Sequence, residues 1–100
     1  MWFITVMEKL EPDEVGWPDF GCTRTPGYYE CYEDCKHAII NNVCDIWEYC
    51  YDFAVMEHYH PGVYPYVDHR EWFKFDREAW KYLPIPEPEF CKHIGNIAIG

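Results

Sequence analysis

Serine and glutamine are both absent from this chain of 100 residues. The lack of serine excludes hydrolysis by a serine nucleophile. The chain also lacks the patterns G-x-G-x-x-G and G-x-x-x-x-G-K-[ST], which excludes the nucleotide cradles that these motifs build. No apolar run approaches the roughly 20 residues that a membrane-spanning helix needs. We therefore expect neither a membrane segment nor a bound cofactor.

Basic residues are scarce. Lysine and arginine together number 8 against 18 acids, and the formal net charge is −10. Such a charge repels phosphates, so direct binding of nucleic acid or of an anionic membrane is disfavoured. It suits instead a basic protein surface, such as that of a nucleic-acid-binding nuclease. A simpler interpretation, that acidity only keeps an aromatic-rich domain soluble, stays open.

The length of the chain predicts a single domain over residues 1–100. Apolar residues make up 49% of the chain, which argues against disorder. Aromatic residues make up 20%, and a core of this size cannot enclose all of their rings. Some rings are therefore expected at the surface, where tyrosine and tryptophan commonly anchor partners.

The six cysteines allow fifteen disulfide connectivities if all of them pair. They stand at positions 22, 31, 35, 44, 50 and 91. Residues 1–7 are apolar, but the stretch is short, lacks a basic start and runs into Glu8, so it is interpreted as a strand and not as a secretory leader. We expect a cytoplasmic protein whose thiols are reduced and mostly buried.

The breaker residues and the apolar spacing predict the elements of the fold. Prolines and glycines predict a long loop over residues 11–27, and apolar positions from Cys31 to Val43 predict an amphipathic helix that ends at Asn41-Asn42. Three prolines favour an extended edge over residues 84–89, and the apolar tail 94–100 is expected to dock on the core. The predicted strands cover residues 2–10, 51–59, 71–75 and 79–83, with a return segment at 63–66.

These elements predict an α+β fold, with an antiparallel or mixed sheet of four to five strands and one main helix packed on one face. A single helix covers only part of a sheet. The opposite face is expected to carry rings such as Trp72, Trp80 and Tyr82. That face is either wet or covered by the long loop, the tail or a second copy of the chain, which leaves homodimerisation open.

Metal binding is one candidate chemistry. Cys31 and Cys35 are spaced to share a helical face, and His58 and His60 are spaced to share one side of a strand. A structural zinc site needs four tetrahedral ligands, and no C-x2-C pair is present. The thiols fit the apolar positions of the helix, so we predict no metal site, and a small metalloprotein or enzyme that uses the cysteines and histidines stays open as an alternative function.

Catalysis is disfavoured on the same grounds. A nucleophilic cysteine requires an electropositive setting, whereas Cys31 and Cys50 are flanked by acids. Glu48, Asp52 and Glu57 could form an acid–base set with a histidine, but a small one-helix sheet rarely builds the required cleft. The sequence therefore predicts a protein that is not an enzyme.

The most informative stretch is residues 45–66, in which rings, acids and thiols alternate almost residue by residue. Outward rings beside carboxylates suit a basic partner through cation–π contacts and charge pairing. An alternative is a homo-oligomeric sponge for a small nucleotide signal, with phosphates held by Arg24, Arg70 or Arg77. The predicted protein-binding residues are Trp47, Glu48, Tyr49, Asp52, Glu57, Tyr59, Tyr64 and Tyr66.

Several segments resemble small acidic proteins encoded by anaerobic gut bacteria and their phages. The resemblance lies in residues 2–6, 24–29, 44–57, 62–65 and 86–90. That family has no established activity, so it supplies no functional residues. The resemblance implies a role as a phage or mobile-element inhibitor of a bacterial defence system, similar to an anti-CRISPR protein. In the family, serine or asparagine stands where this chain has Cys31, and alanine where it has Cys35, which suggests that both thiols are replaceable.

Overall fold

The computed structural model describes residues 1–10, 19–63, 65–88 and 95–98. Within them the strands form one antiparallel sheet, and a helix lies on one of its faces. The predicted α+β class is confirmed. In chain order the elements are β1 (Trp2–Leu10), β2 (Asp19–Tyr29), α1 (Tyr32–Ile40), β3 (Phe53–His60), β4 (Tyr66–Asp76) and β5 (Lys81–Ile85). Across the sheet the strand order is β2-β1-β3-β4-β5.

Helix α1 lies where the apolar spacing predicted it. Cys31 is its N-cap and Asn41 its C-cap, and the amide nitrogen of Asn41 donates to the carbonyl of His37. Two acids in the first turn, Glu33 and Asp34, stabilise the positive end of the helix dipole. The buried face of the helix consists of Cys35, Ala38 and Ile39.

The prediction of a loop over residues 11–27 is wrong for its second half. Residues 19–27 belong to β2, and residues 11–18 lie outside the described chain. β2 is an edge strand, where a proline such as Pro26 leaves no ladder partner unsatisfied. The two irregularities in the β1–β2 register coincide with Thr25-Pro26 and with Gly21-Cys22, whereas Gly27 pairs regularly with Ile4. Prolines and glycines predict a loop unless the segment lies at the edge of a sheet, and edge position depends on strand pairing that the local sequence does not show.

The C-terminal predictions are partly corrected. Pro84 and Ile85 continue the ladder of β5 opposite Phe73 and Trp72, so regular pairing extends further than the prolines suggested. β5 is the other edge of the sheet, which explains why Pro84 is tolerated. In the tail, Ile97 packs against the core, as predicted for this part of the chain. Residues 89–94, 99 and 100 lie outside the described chain.

The sheet separates two apolar clusters. The helix-side cluster contains Ile39 of α1 together with Ile4, Met56 and Phe73 of the sheet. The opposite cluster contains Met7, Phe53, Val55 and Trp72, with Ile97 packed against it.

The expectation that three rings share the face opposite the helix is correct for Trp72 alone. Tyr82 is buried in the helix-side cluster, where its hydroxyl donates to the carbonyl of Tyr51 at 2.6 Å. Trp80 contacts Phe75 of the same cluster. In the described parts of the chain, no helix has the length and apolar content needed to cross a bilayer.

Among the thiols whose exposure the structure describes, only that of Cys35 is buried. Cys35 is fully enclosed, and burial, with help from the charge of Glu71, raises its pKa to about 12. Cys31, Cys44 and Cys50 are exposed, so the expectation of mostly buried thiols is corrected for these residues. The side chain of Cys22 and all of Cys91 lie outside the described chain.

Alkylation should distinguish these thiols. We expect iodoacetamide at neutral pH to modify Cys31, Cys44 and Cys50 in the folded protein, and Cys35 only after unfolding, because an enclosed and protonated thiol is a poor nucleophile. Timed labelling followed by peptide mapping measures this order. Labelling of Cys35 at the rate of Cys31 would show that the helix does not enclose it.

Candidate functional site

An irregular segment between α1 and β3 presents the first candidate site. Residues 43–45 form a 3-10 turn, and turns continue to residue 50. The side-chain oxygen of Asn42 accepts the amide of Trp47 at 3.0 Å, and its side-chain nitrogen donates to Asp45, also at 3.0 Å. These hydrogen bonds hold the backbone of residues 42–47 in the turn that positions Trp47. The segment then leads into β3 next to the turn that joins β4 and β5.

Four rings form what we call the ring patch: Trp47, Tyr49, Phe75 and Trp80. Trp47 is buried and stacks on Phe75, with ring centroids 4.1 Å apart and planes 11° apart. Tyr49 and Trp80 lie against Trp47, with centroid distances of 4.9 and 5.0 Å. Tyr49 is 70% exposed and Trp80 is 52% exposed. The exposed rings of Tyr49 and Trp80 therefore pack on the buried rings of Trp47 and Phe75.

The surroundings of the ring patch are acidic. The two segments that carry it, residues 45–52 and 76–80, contain five acids and one base. The base is Arg77, whose guanidinium lies 5.6 Å from the ring centroid of Trp47 and 3.8 Å from the carboxylate of Asp52. Glu48 is exposed, and its carboxylate accepts a hydrogen bond of 2.6 Å from the guanidinium of Arg24 in β2. A cationic side chain approaching Tyr49 or Trp80 would meet negative charge and the faces of rings together.

The backbone of the ring patch adopts an uncommon conformation. Glu48, Tyr49 and Trp80 have φ values of 49°, 66° and 56°, in the left-handed region that non-glycine residues rarely occupy. Each such residue costs on the order of 1–3 kcal/mol, and such residues concentrate at functional sites. The indole N–H of Trp47 is also buried without a hydrogen-bond partner among the described residues. Local stability is thus lowered where the rings are presented.

Two of the predicted binding residues lie inside the protein on the opposite face. Glu57 is fully buried and Tyr59 is 2% exposed, so neither belongs to an exposed acidic surface and that prediction is corrected for both. Their positions in β3 alternate with those that face α1, which places them beneath the C-terminal tail. Trp47 is likewise buried and supports the ring patch from below. Glu48, Tyr49, Asp52 and Tyr66 retain exposed or half-exposed positions, and Tyr64 lies outside the described chain.

Glu57 holds the tail on the sheet. Its carboxylate accepts two bonds from Arg70, at 2.8 and 3.1 Å, and the backbone amides of Ile97 and Ala98 at 3.2 and 3.0 Å. Arg70 also donates to the carbonyl of Gly95. The pair is enclosed, since the side chain of Arg70 is 16% exposed and that of Glu57 is 0% exposed. The predicted acid is therefore a structural anchor.

A second polar cluster lies at the C-terminal end of β3, away from the ring patch. His58 and His60 point to the same side of the sheet, and Asp68 of β4 lies between them. The Nδ1 atom of His58 is 2.7 Å from one carboxylate oxygen of Asp68, and the Nε2 atom of His60 is 2.5 Å from the other. These hydrogen bonds, that of His58 first, hold the pKa of Asp68 below its usual range. The predicted histidine pair thus acquires a carboxylate that the sequence did not indicate.

A hydrogen-bonded chain continues from this end of the sheet toward α1. The carboxylate of Glu71 accepts hydrogen bonds from the ring of His69 and from the hydroxyl of Tyr32, each at 3.0 Å. The side-chain nitrogen of Lys36 donates to the same hydroxyl at 3.3 Å. Partial burial raises the pKa of Glu71, but the bonds from Tyr32 and His69 outweigh it, so the net shift is downward. These hydrogen bonds link β4 to helix α1.

The three arginines proposed for a nucleotide sponge do not form one site. Arg24 and Arg77 contact carboxylates of the segment that precedes β3, whereas Arg70 lies on the opposite face with Glu57. The residues considered for catalysis are separated in the same way, because Glu57 is enclosed while Glu48 and Asp52 face solvent. Cys31 and Cys35 also differ in exposure.

A groove of about 600 Å³ runs along β4, past Asp68 and Glu71, toward Glu87 and Asn96.

Comparisons of the chain with protein-family models, curated proteins and solved structures find no match.

Three residues of these sites are not among the predicted site residues: Phe75, Trp80 and Asp68. Trp80 was assigned to the face opposite the helix, and only the register of the β4–β5 hairpin brings it beside Trp47. Asp68 follows the predicted return segment, and no motif in the sequence assigns it to a site. A two-residue turn at Pro61-Gly62 would place Asp68 opposite Val55, and only the observed register, in which His60 pairs with Tyr66 and Asp68 is bulged, brings it beside His58 and His60.

Proposed function

We propose that this protein is a non-catalytic protein-binding module whose contact surface is the ring patch and its acidic border. The observation that carries the proposal is the exposure of Tyr49 and Trp80 on top of the buried ring of Trp47. Exposed tyrosine and tryptophan on a rigid base are the usual energetic centres of protein interfaces, since they bury large area at little entropic cost.

The negative charge of this surface supports a basic partner. The acids at positions 45, 48, 52, 76 and 78 lie in the two segments that carry the exposed rings, and the whole chain carries a formal charge of −10. A partner with arginine or lysine side chains gains cation–π contacts with Tyr49 and Trp80 and charge pairing with the acids. A nucleic-acid-binding surface has this chemistry, and occupying it would exclude the nucleic acid. The narrower proposal, inhibition of a bacterial defence nuclease, rests on the resemblance to small phage-encoded proteins.

Removal of the two exposed rings tests the proposal. We expect the double variant Tyr49→Asn/Trp80→Asn to bind the partner at least 30-fold more weakly than wild type, because even one interface anchor contributes about 2 kcal/mol or more. Asparagine is chosen because it tolerates the left-handed backbone at both positions. The partner is first retained from a lysate of the native host on immobilised wild-type protein, then purified, and its affinity is measured by calorimetry.

Tyr28→Thr is the matched control, because Tyr28 is 61% exposed on β2 and lies outside the ring patch. It should bind like wild type. Binding by wild type should also weaken steeply with salt, and weaken further when Glu48 and Asp52 are replaced by lysine. Equal affinity of wild type and the double asparagine variant, or retention of no protein by wild type, would contradict the proposed function.

A further inference from the structure

We propose that His58, His60 and Asp68 bind a divalent transition-metal ion of the Zn²⁺ type. Each residue offers one ligand atom, and the three atoms all lie within 4.8 Å of one another. Two imidazoles and one carboxylate are a recurrent ligand set for zinc and for non-haem iron. The site lies at the opposite end of β3 from the ring patch, so the inference is independent of the proposed function.

The backbone builds this cluster through a bulge. His58 pairs with His69 and Tyr59 pairs with Val67, which leaves Asp68 as the extra residue of β4. A bulge re-aims a side chain, and here it turns the carboxylate toward the two histidines on β3. The ligands are therefore carried by two paired strands and not by a loop, which limits how far they can separate.

The spacing needs little adjustment to accept an ion. Ligands of a tetrahedral zinc with bonds of roughly 2.0–2.1 Å stand about 3.4 Å apart. The carboxylate now contacts each imidazole at 2.7 and 2.5 Å, and an ion entering between them replaces these hydrogen bonds with coordination bonds. Both contacts are made by nitrogen atoms that can ligate, Nδ1 of His58 and Nε2 of His60.

Neighbouring rings orient the two imidazoles. The ring of Tyr66 stacks on His60, with centroids 4.6 Å apart and planes 10° apart. The ring of Trp2 lies against His58 with a centroid distance of 4.7 Å. Such packing restricts rotation of the two imidazoles and so limits the orientations of the ligand atoms. The side chains of the three ligands are 30–41% exposed, so an ion can reach them from solvent.

Three protein ligands leave at least one coordination position for water or for an external donor, as in open zinc sites. The exposed thiols of Cys31, Cys44 and Cys50 offer zinc an alternative, so the test must separate the two sources. Bound Co²⁺ does this, because thiolate ligation adds a sulfur-to-metal charge-transfer absorption that a site of imidazole and carboxylate lacks.

The test uses the full chain, stripped by chelator and with its exposed thiols alkylated. Titration with Zn²⁺ and with Co²⁺ should show one ion bound per chain, without the thiolate absorption. His58→Ala, His60→Ala and Asp68→Asn should each weaken binding at least tenfold. His37→Ala, an exposed histidine on α1, is the matched control and should stay within twofold of wild type.

Circular dichroism verifies that each variant folds, and Asp68→Asn keeps the shape of the side chain if an alanine variant does not fold. Absence of stoichiometric binding after alkylation would overturn the proposal and leave an exposed histidine–aspartate ion pair. Binding that persists at wild-type strength in all three ligand variants would overturn it as well.

Discussion

Replacing Arg70 with methionine is expected to lower the free energy of unfolding by about 3–5 kcal/mol. Arg70 supplies two of the bonds to the fully buried carboxylate of Glu57. Methionine conserves much of the volume but leaves an enclosed negative charge without its cation. Urea denaturation monitored by circular dichroism measures the loss. For a chain of this length, the midpoint of thermal unfolding should fall by at least about 12 °C.

Two further variants separate the charge effect from general damage. Arg77→Met removes an arginine that is 70% exposed and whose carboxylate partner, Asp52, lies 3.8 Å away, and it should cost less than about 1 kcal/mol. The double variant Glu57→Met/Arg70→Met should be more stable than Arg70→Met alone, because it removes both buried charges.

Hydrogen exchange provides a local readout of the same anchor. The amides of Ile97 and Ala98 donate to Glu57, so they should lose protection when Glu57 is replaced. If the free energy of unfolding of Arg70→Met lies within about 1 kcal/mol of the wild-type value, the enclosed pair of Glu57 and Arg70 does not hold the tail on the sheet.

The protein should lose about 3 kcal/mol of stability between pH 8 and pH 10.5. Burial raises the pKa of Cys35 from 9.0 to about 12, and burial with the nearby charge of Asp52 raises that of Tyr82 as well. Above pH 9 the unfolded chain releases the thiol proton while the folded chain keeps it, so rising pH favours unfolding. Each group contributes about 1.4 kcal/mol per pH unit, starting near pH 9 for the thiol and near pH 10 for the phenol.

Urea denaturation at several pH values measures this slope. Cys35→Ala should flatten it between pH 9 and 10, and Tyr82→Phe should flatten it above pH 10, whatever each variant costs at neutral pH. Cys31→Ala is the control and should keep the wild-type slope, because that thiol is exposed. A stability that is constant from pH 8 to pH 10.5 would show that neither group is enclosed.

The regular parts of the fold could be predicted from local pattern. The spacing of Cys35, Ala38 and Ile39 gave α1, and alternating or β-branched residues gave β1 and the core of β3. β2 could not be predicted in this way, because its prolines and glycines are compatible with an edge strand only once its position in the sheet is known.

The site was predicted less completely, because exposure depends on pairing between distant strands. Glu57 and Glu48 are both acids in one aromatic segment, yet one is enclosed by Arg70 and the tail while the other faces solvent. Nothing within the segment distinguishes them apart from the alternation of β3. Asp68 joins the histidines only through a bulge, whose position depends on the register of two strands.

The most direct test of the proposed function is oxidative footprinting of the protein alone and bound to its partner. In the free protein, Tyr49 and Trp80 should be modified readily, as should Tyr28. In the complex, we predict strong protection of Tyr49 and Trp80 and unchanged modification of Tyr28. Unchanged modification of Tyr49 and Trp80 in the complex would show that the partner binds elsewhere and would contradict the assignment of the ring patch as the binding surface.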